Sequence, residues 1–420
     1  MKKTGKKRGE AQGVSALALL AGVAVTAREG LHELVVRSGL GVLGALLEAD
    51  RDALCGPRYE HSRHDAHRAG HVRGELGMGG RRVELKRPRV RSLDGCELPL
   101  PTWERFAGED PLGARAYEQM MIGVATRKYE RSLEPIGAKS RGTSKSAVSR
   151  RFVAATSARV EKQLTQPLGD LKLAALMIDG IHFGEHVILV ALGIDEEGRK
   201  HALGLREGAT ENAVTCTALM ANLVERGLDT TRTMLVVIDG GKALAKAVRA
   251  VLGKRALVQR CQVHKKRNVL DQLPERVRPS VSTALTQAYG SRDEGQARRL
   301  LNNLERRLAK DHPGAAASLR EGLDETLTVL GLGLPRALER TLATTNPIEN
   351  LNSSARRVCR RVARWRSGEM ILRWMTGAMS EAAKGFRRLK GHAGMPLLVA
   401  RLKAHDALLN NGTNPIANAA

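Results

Sequence analysis

Strand-length apolar runs that stop at an aspartate are what most constrain this chain. LKLAALMID (171–179), HVILVALGID (186–195) and TMLVVIDGG (233–241) are dense in Val, Ile, Leu and Met and shorter than a globular helix needs, so they read as buried strands. RKHALGLREG (199–208) follows the second run at hairpin distance through Asp195-Glu196-Glu197-Gly198, and ALVQRCQVH (256–264) supplies one more strand. Two stretches of helical spacing, ENAVTCTALMANLVERGL (211–228) and GKALAKAVRAVLG (241–253), separate the later runs. The order β-β-β-α-β-α-β predicts an α/β unit with a mixed sheet flanked by helices.

A three-strand meander followed by alternating helix and strand is the layout of a ribonuclease H-like domain. Strand signals then stop and helical patterns dominate, so an all-helical insertion is expected. The division is 1–57, a helical N-terminal region; 58–168, a DNA-binding region; 169–264, the first part of the core; 265–338, the insertion; 339–408, the rest of the core with C-terminal helices; and 409–420, a loose tail. The chain's start carries a competing pattern. Lys2, Lys3, Lys6, Lys7 and Arg8 precede VSALALLAGVAVTA (14–27), in the manner of a signal peptide. An Ala/Leu-rich amphipathic helix suits the basic remainder better, and no run reaches the roughly 18 apolar residues of a membrane span.

With 69 Lys and Arg against 44 Asp and Glu, a formal charge of +25, the expected partner is a polyanion, nucleic acid first. Aromatic residues make up only 3%, whereas single-strand readers stack bases on aromatic rings, so duplex DNA held through its phosphates is favoured. The cluster within 81–91, with Arg81, Arg82, Lys86, Arg87 and Arg89, ends a segment that alternates like a short strand pair and is assigned to phosphate contact. RGTSKSAVSRRFVAATSARV (141–160) has a Gly142 turn and a Ser-capped helix, resembling the second half of a helix-turn-helix that exposes Ser146, Ser149 and Arg150. Cys55, Cys96, Cys216, Cys261 and Cys359 are scattered without a CxxC pair and read as reduced thiols of a cytoplasmic protein. His61, His64, His67 and His71 have helical-type spacing and, with Cys55, form a candidate metal site, although the segment's Gly and Arg content argues against it.

Asp179 and Asp239 each close a strand and precede a glycine, where ligands bind in open α/β sheets. The same pattern is an ordinary strand-to-turn signal; two of them on strands that would be adjacent favour a functional pair. Paired carboxylates suit hard divalent cations. Two such ions can activate a water or a 3′-hydroxyl and stabilise the leaving oxygen of a phosphoryl transfer. Glu349 offers a third carboxylate. In TTNPIENLNSSARRVCRRVARWR (344–366), Asn346 reads as N-cap, Pro347 as the first helical residue and Glu349 as the third, a capping box. Ile348, Leu351, Ala355, Val358, Val362 and Trp365 form an apolar stripe, while Arg356, Arg357, Arg360 and Arg361 would follow a phosphate chain. Capping and metal binding are compatible roles for one carboxylate.

MIDGIHF, LVVIDGGKAL, RCQVHKKRN and the 344–366 stretch, in this order and at these separations, resemble the Mutator-type transposases of bacterial insertion sequences. The likeness runs from about residue 68 to about 403. It implies a DDE triad of Asp179, Asp239 and Glu349 on a ribonuclease H-like fold, holding two Mg²⁺ ions for which Mn²⁺ can substitute. It also implies that Cys261 and His264, matching the family's Cys or Asp, two residues, His motif, help place the DNA end near the metals; Lys265 and Lys266 beside them are grouped with the DNA contacts. His71 stands where relatives more often have an aromatic residue. The implied partners are double-stranded DNA, as terminal inverted repeats and target, and a second copy of the chain, a dimer on paired ends. The implied setting is the cytoplasm, on the nucleoid, without a membrane, and a copy-out, paste-in route through a circle follows from the resemblance alone. Three other readings stay open: a ribonuclease H-like nuclease that cuts without joining, a catalytically silent repressor derived from a transposase, and a secreted basic protein.

Overall fold

The protein, a computed structural model, is described over residues 10–59, 65–108, 111–134, 140–208 and 212–411. It forms two compact units, Met1–Ala155 and Thr156–Ala420.

In the first unit the helical N-terminal region takes the form of one long helix, α1 (Glu10–Cys55). Leu40, Leu43, Leu47 and Leu54 recur at helical intervals along one face, and this face packs on Leu76, Val90 and Leu100. The stretch that mimics a signal peptide lies within this helix. Among the described residues no helix is long and apolar enough to cross a membrane. Strands β1 (Ala66–Met78) and β2 (Arg81–Ser92) pair antiparallel across Gly79 and Gly80. Both glycines have positive φ, 56° and 83°, as a two-residue turn between right-twisted strands requires. β3 (Glu97–Leu98) and β4 (Ser140–Arg141) both add to β2. Helix α2 (Pro101–Gly108) begins where Asp50 accepts a bond from Thr102 N at 2.7 Å, and α3 (Pro111–Met121) follows.

The residues immediately before Gly142 form β4, with Arg141 opposite Arg82, and helix α4 (Lys145–Thr165) follows the turn. The Ser cap itself is present, Ser144 Oγ accepting from Ala147 N at 3.4 Å. His67 and His71 lie on β1 rather than a helix, and His71 Nε2 sits 3.1 Å from Glu48 Oε1. His61 and His64 fall outside the described residues. Among the described residues no metal-ligand grouping includes Cys55, His67 or His71.

The second unit is built on a five-stranded mixed sheet in the order β7-β6-β5-β8-β9. β5 (Leu173–Phe183), β6 (His186–Asp195) and β7 (Lys200–Gly208) form the antiparallel meander, and β8 (Met234–Ile238) and β9 (Ala256–Arg260) extend it in parallel from β5. This is the strand and helix order read from the sequence. Helices α5 (Ala213–Glu225) and α6 (Lys242–Leu252) bury Leu219, Leu223, Leu244 and Val248 on Leu176, Ile178, Val236 and Ile238 of one sheet face. Successive strand residues face opposite sides, so Asp179 points to the other face.

Two strand ends differ from expectation. β5 runs four residues beyond Asp179 because its pairing with β6 continues to Phe183 and His186. β9 stops at Arg260, and the CxxH residues instead open helix α7 (Gln262–Asp271), which has Cys261 as its N-cap. α7 joins α8 (Arg278–Tyr289), α9 (Glu294–Asp311), α10 (Pro313–Arg320) and α11 (Thr328–Gly331) around a separate core that includes Val269, Leu285, Leu301, Leu319 and Leu327. α12 (Arg336–Leu342), α13 (Asn346–Cys359), α14 (Gly368–Lys384) and α15 (Met395–Asn411) complete the unit, with α13 and α15 against β5 and α14 against β7.

Lys265 belongs to this core, not to a DNA surface. It is 3% exposed, and its Nζ donates to the carbonyls of Ser318 at 2.7 Å and Glu321 at 2.5 Å, at the end of α10, where carbonyls lack helical partners. Burial lowers its pKa to about 8. Lys265→Met leaves both carbonyls unsatisfied, and the expected cost is about 2–3 kcal/mol, read as a lower denaturant midpoint, with the DNA affinity of the folded protein unchanged.

Candidate functional site

The parallel register assembles the site. Ile178 pairs with Ile238, and Ile238 with Arg260; these are the last pairs of β5 with β8 and of β8 with β9. The next residue of each chain is Asp179, Asp239 and Cys261, so the three stand in a row across strands about 4.8 Å apart. Gly240, at φ 108°, turns the chain away, and Asp239 Oδ1 accepts from Gly241 N at 3.0 Å. Burial, then the like charge of Asp239, raises the pKa of Asp179; a hydrogen bond from Asn352 and the charge of His264 oppose the shift, and Glu349 adds to it.

Helix α13 brings Glu349 to this row. Its N-cap is Thr345, not Asn346, and Glu349 is the fourth helical residue, so the expected capping box is not formed. The Thr345 N–H that such a box would engage donates to Cys261 Sγ at 3.4 Å, while Thr345 Oγ1 donates to Glu349 Oε1 at 2.5 Å. His264 completes the network, Nδ1 at 3.4 Å from Thr345 Oγ1 and Nε2 at 3.8 Å from Glu349 Oε1. One ligand atom from each of Cys261, His264 and Glu349 lies within 4.8 Å of the others. Burial pushes the Cys261 thiol up, but hydrogen bonds from His264 and Thr345 outweigh it and hold the thiol below its ordinary value. The bond to Cys261 in turn raises His264.

Neither Thr345 nor Asn352 was singled out from the sequence. Asn352, 3% exposed and one turn beyond Glu349, donates from Nδ2 to Asp179 Oδ2 at 2.7 Å, and its buried Oδ1 has no partner among the described residues. Its spacing from Glu349 was the available signal; Thr345 carried none. Ile348, Leu351 and Ala355 are buried as the stripe predicts. The helix stops at Cys359, leaving Val362 and Trp365 outside it. Prolonging it would stack Arg356, Arg360 and Arg364 at i,i+4, a spacing at which like charges destabilise a helix.

The basic residues divide into spent and available ones. Arg81 is buried, donating to the Glu134 carbonyl at 2.5 Å, so like Lys265 it leaves the phosphate-contact set. Arg87 and Arg89 both pair with Glu97, and Arg82 reaches Glu75 at 3.5 Å. Lys86, Ser146, Ser149 and Arg150 are exposed. Lys266 Nζ donates to Thr286 Oγ1 at 2.7 Å. Arg356, Arg357, Arg360 and Arg361 are exposed beyond the carboxylates.

Residues 12–388 match the family profile described as "Transposase, Mutator family". The chain is 29% identical over 353 residues to a Rhizobium meliloti protein named as the transposase for insertion sequence element ISRM5, covering 82% of this chain and 86% of that one. It is 31% identical over 293 residues to a Staphylococcus aureus transposase for IS256 in transposon Tn4001, covering 66% and 70%. A Mycobacterium tuberculosis transposase for IS1081 is 28% identical over 333 residues, covering 75% and 76%.

Proposed function

Because the chain belongs to the Mutator family of transposases, we propose that it binds the terminal inverted repeats of its own insertion sequence and cuts and joins DNA strands there. The observation that carries this reading is the meeting of Asp179 and Asp239, on neighbouring parallel strands, with Glu349 from a separate helix, near enough for both to raise Asp179. The meander and mixed sheet support a ribonuclease H-like core.

The donor set fits hard cations: three carboxylates, with the buried Asn352 Oδ1, unpaired among the described residues, on the side chain that bonds Asp179. Asp179 and Asp239 would hold both Mg²⁺ or Mn²⁺ ions between them, and Glu349 would complete the second site. Bound there, two such ions would supply Lewis-acid activation of the attacking hydroxyl and stabilisation of the leaving oxygen. Asn352 orients the Asp179 carboxylate. Thr345 and His264 fix the Glu349 carboxylate, and Cys261 anchors both through its sulfur. Lys86, Arg150, Ser146 and Ser149 in the first unit, and Arg356, Arg357, Arg360 and Arg361 in the second, are the proposed DNA contacts.

The test is incubation of a labelled duplex carrying the repeat that flanks the gene, with target DNA and Mg²⁺. Joining of a 3′ end to target supports transposition; released fragments without joining would make it a nuclease, and binding without cleavage a repressor. Arg356→Gln with Arg360→Gln should weaken binding to all sequences alike and reduce the slope of log K against log salt by about 2.

A further inference from the structure

Beyond the carboxylates, the end of β5 and the end of α13 border an open pocket of about 480 Å³, a volume typical of small-molecule sites. Phe183, Val362 and Trp365 line its apolar part, and Arg356, Arg357 and Arg360 its rim. The two rings meet edge to face, centroids 5.2 Å apart at 71°. Phe183 is buried, whereas Trp365, on the non-helical stretch after α13, keeps part of its surface open. Arg249, Arg260, Arg298 and Arg336 each meet a carboxylate, but no acceptor among the described residues engages Arg356, Arg357 or Arg360.

Position adds to chemistry. Phe183 lies four residues past Asp179 along β5, about 13 Å. Arg356 lies seven residues past Glu349 along α13, about 10 Å. Both elements therefore set the cavity at a similar remove from the metal-binding carboxylates, three to four nucleotides at about 3.4 Å each. A phosphate track has no use for an aromatic floor, and a stacked duplex offers no base face to one. An unstacked base offers both a face for the rings and phosphates for the arginines.

We propose that this cavity receives a single DNA nucleotide whose base has left the helical stack, three to four positions from the cleaved phosphate. The base lies against Trp365 over Phe183, and its flanking phosphates meet Arg356, Arg357 and Arg360. The proposal rests on the transposase reading above.

The test is a mismatch scan. Duplexes carrying the flanking repeat receive one mismatch at each of the first six positions on either side of the cleavage point, and their affinity is measured at fixed salt beside cleavage of the fully paired duplex. A mismatch lowers the cost of unpairing, so one position at the stated distance should bind the wild type about tenfold tighter than the paired duplex. Trp365→Ala should erase that gain, and Trp365→Phe should restore it. Cleavage with a flat scan, or a gain that survives Trp365→Ala, overturns the subsite and leaves the transposase reading standing. Absence of both binding and cleavage overturns the transposase reading and the subsite with it.

Discussion

Glu349→Gln should lower strand cleavage and joining by about 10³-fold or more while leaving DNA affinity within about twofold. The substitution keeps shape and removes charge. A carboxylate ligand that neutralises a divalent ion contributes several kcal/mol to the transition state of phosphoryl transfer, and each 1.36 kcal/mol is a factor of ten. The local structure has reason to survive. Thr345 Oγ1 can donate to an amide oxygen as it does to Glu349 Oε1, and α13 is held by the buried Ile348, Leu351 and Ala355. The helix start does not use Glu349 as a capping-box acid, since the Thr345 N–H is taken by Cys261. A variant that cuts normally, or that loses its fold, would reduce Glu349 to a structural residue. The arginines that follow it are then explained by phosphate alone.

Asp179→Asn should abolish catalysis to a similar degree and make the metal-free protein more stable. The folded-state pKa of Asp179 is raised, first by burial and then by Asp239. A group raised in this way favours folding while protonated, below its unfolded pKa, and loses that contribution as pH rises through the folded value. At neutral pH the charged carboxylate therefore costs stability, and the neutral amide, which can still accept from Asn352, removes the cost. About 1 kcal/mol is expected, a rise in Tm of about 2–4 °C for a unit of this size, and the gain over wild type should vanish at pH 3. Saturating Mg²⁺ should raise the Tm of the wild type and not that of the variant. An unchanged or lower Tm for a folded Asp179→Asn would contradict the electrostatic picture of the site.

How far the site was legible differs from residue to residue. Asp179 and Asp239 were readable because each follows an apolar run and precedes a glycine, and register alone then sets the two carboxylates together. The order of strands and helices was readable from the same apolar patterning. Strand length was not: whether β5 stops at Asp179 or runs to Phe183 depends on the partner β6, which periodicity does not contain. Similarly Cys261 and His264 were recognisable as a motif, yet only the fold places them on a helix start instead of a strand. Arg81 and Lys265 show the limit of reading charge. A basic side chain at the surface and one spent on backbone carbonyls look identical in sequence, and what separates them is where β2 and α10 pack. Thr345 and Asn352 act through contacts across 84 and 173 residues, to Cys261 and to Asp179, a range no local pattern covers.

The central claim is that Asp179, Asp239 and Glu349 share bound divalent ions. The most direct measurement replaces Mg²⁺ with Fe²⁺ in the wild-type protein, adds ascorbate and peroxide, and maps where locally generated radicals cut the polypeptide. Cuts clustered near residues 179, 239 and 349, suppressed by excess Mg²⁺, are the predicted result. Cuts confined to other segments, or cuts that excess Mg²⁺ leaves unchanged, would contradict it.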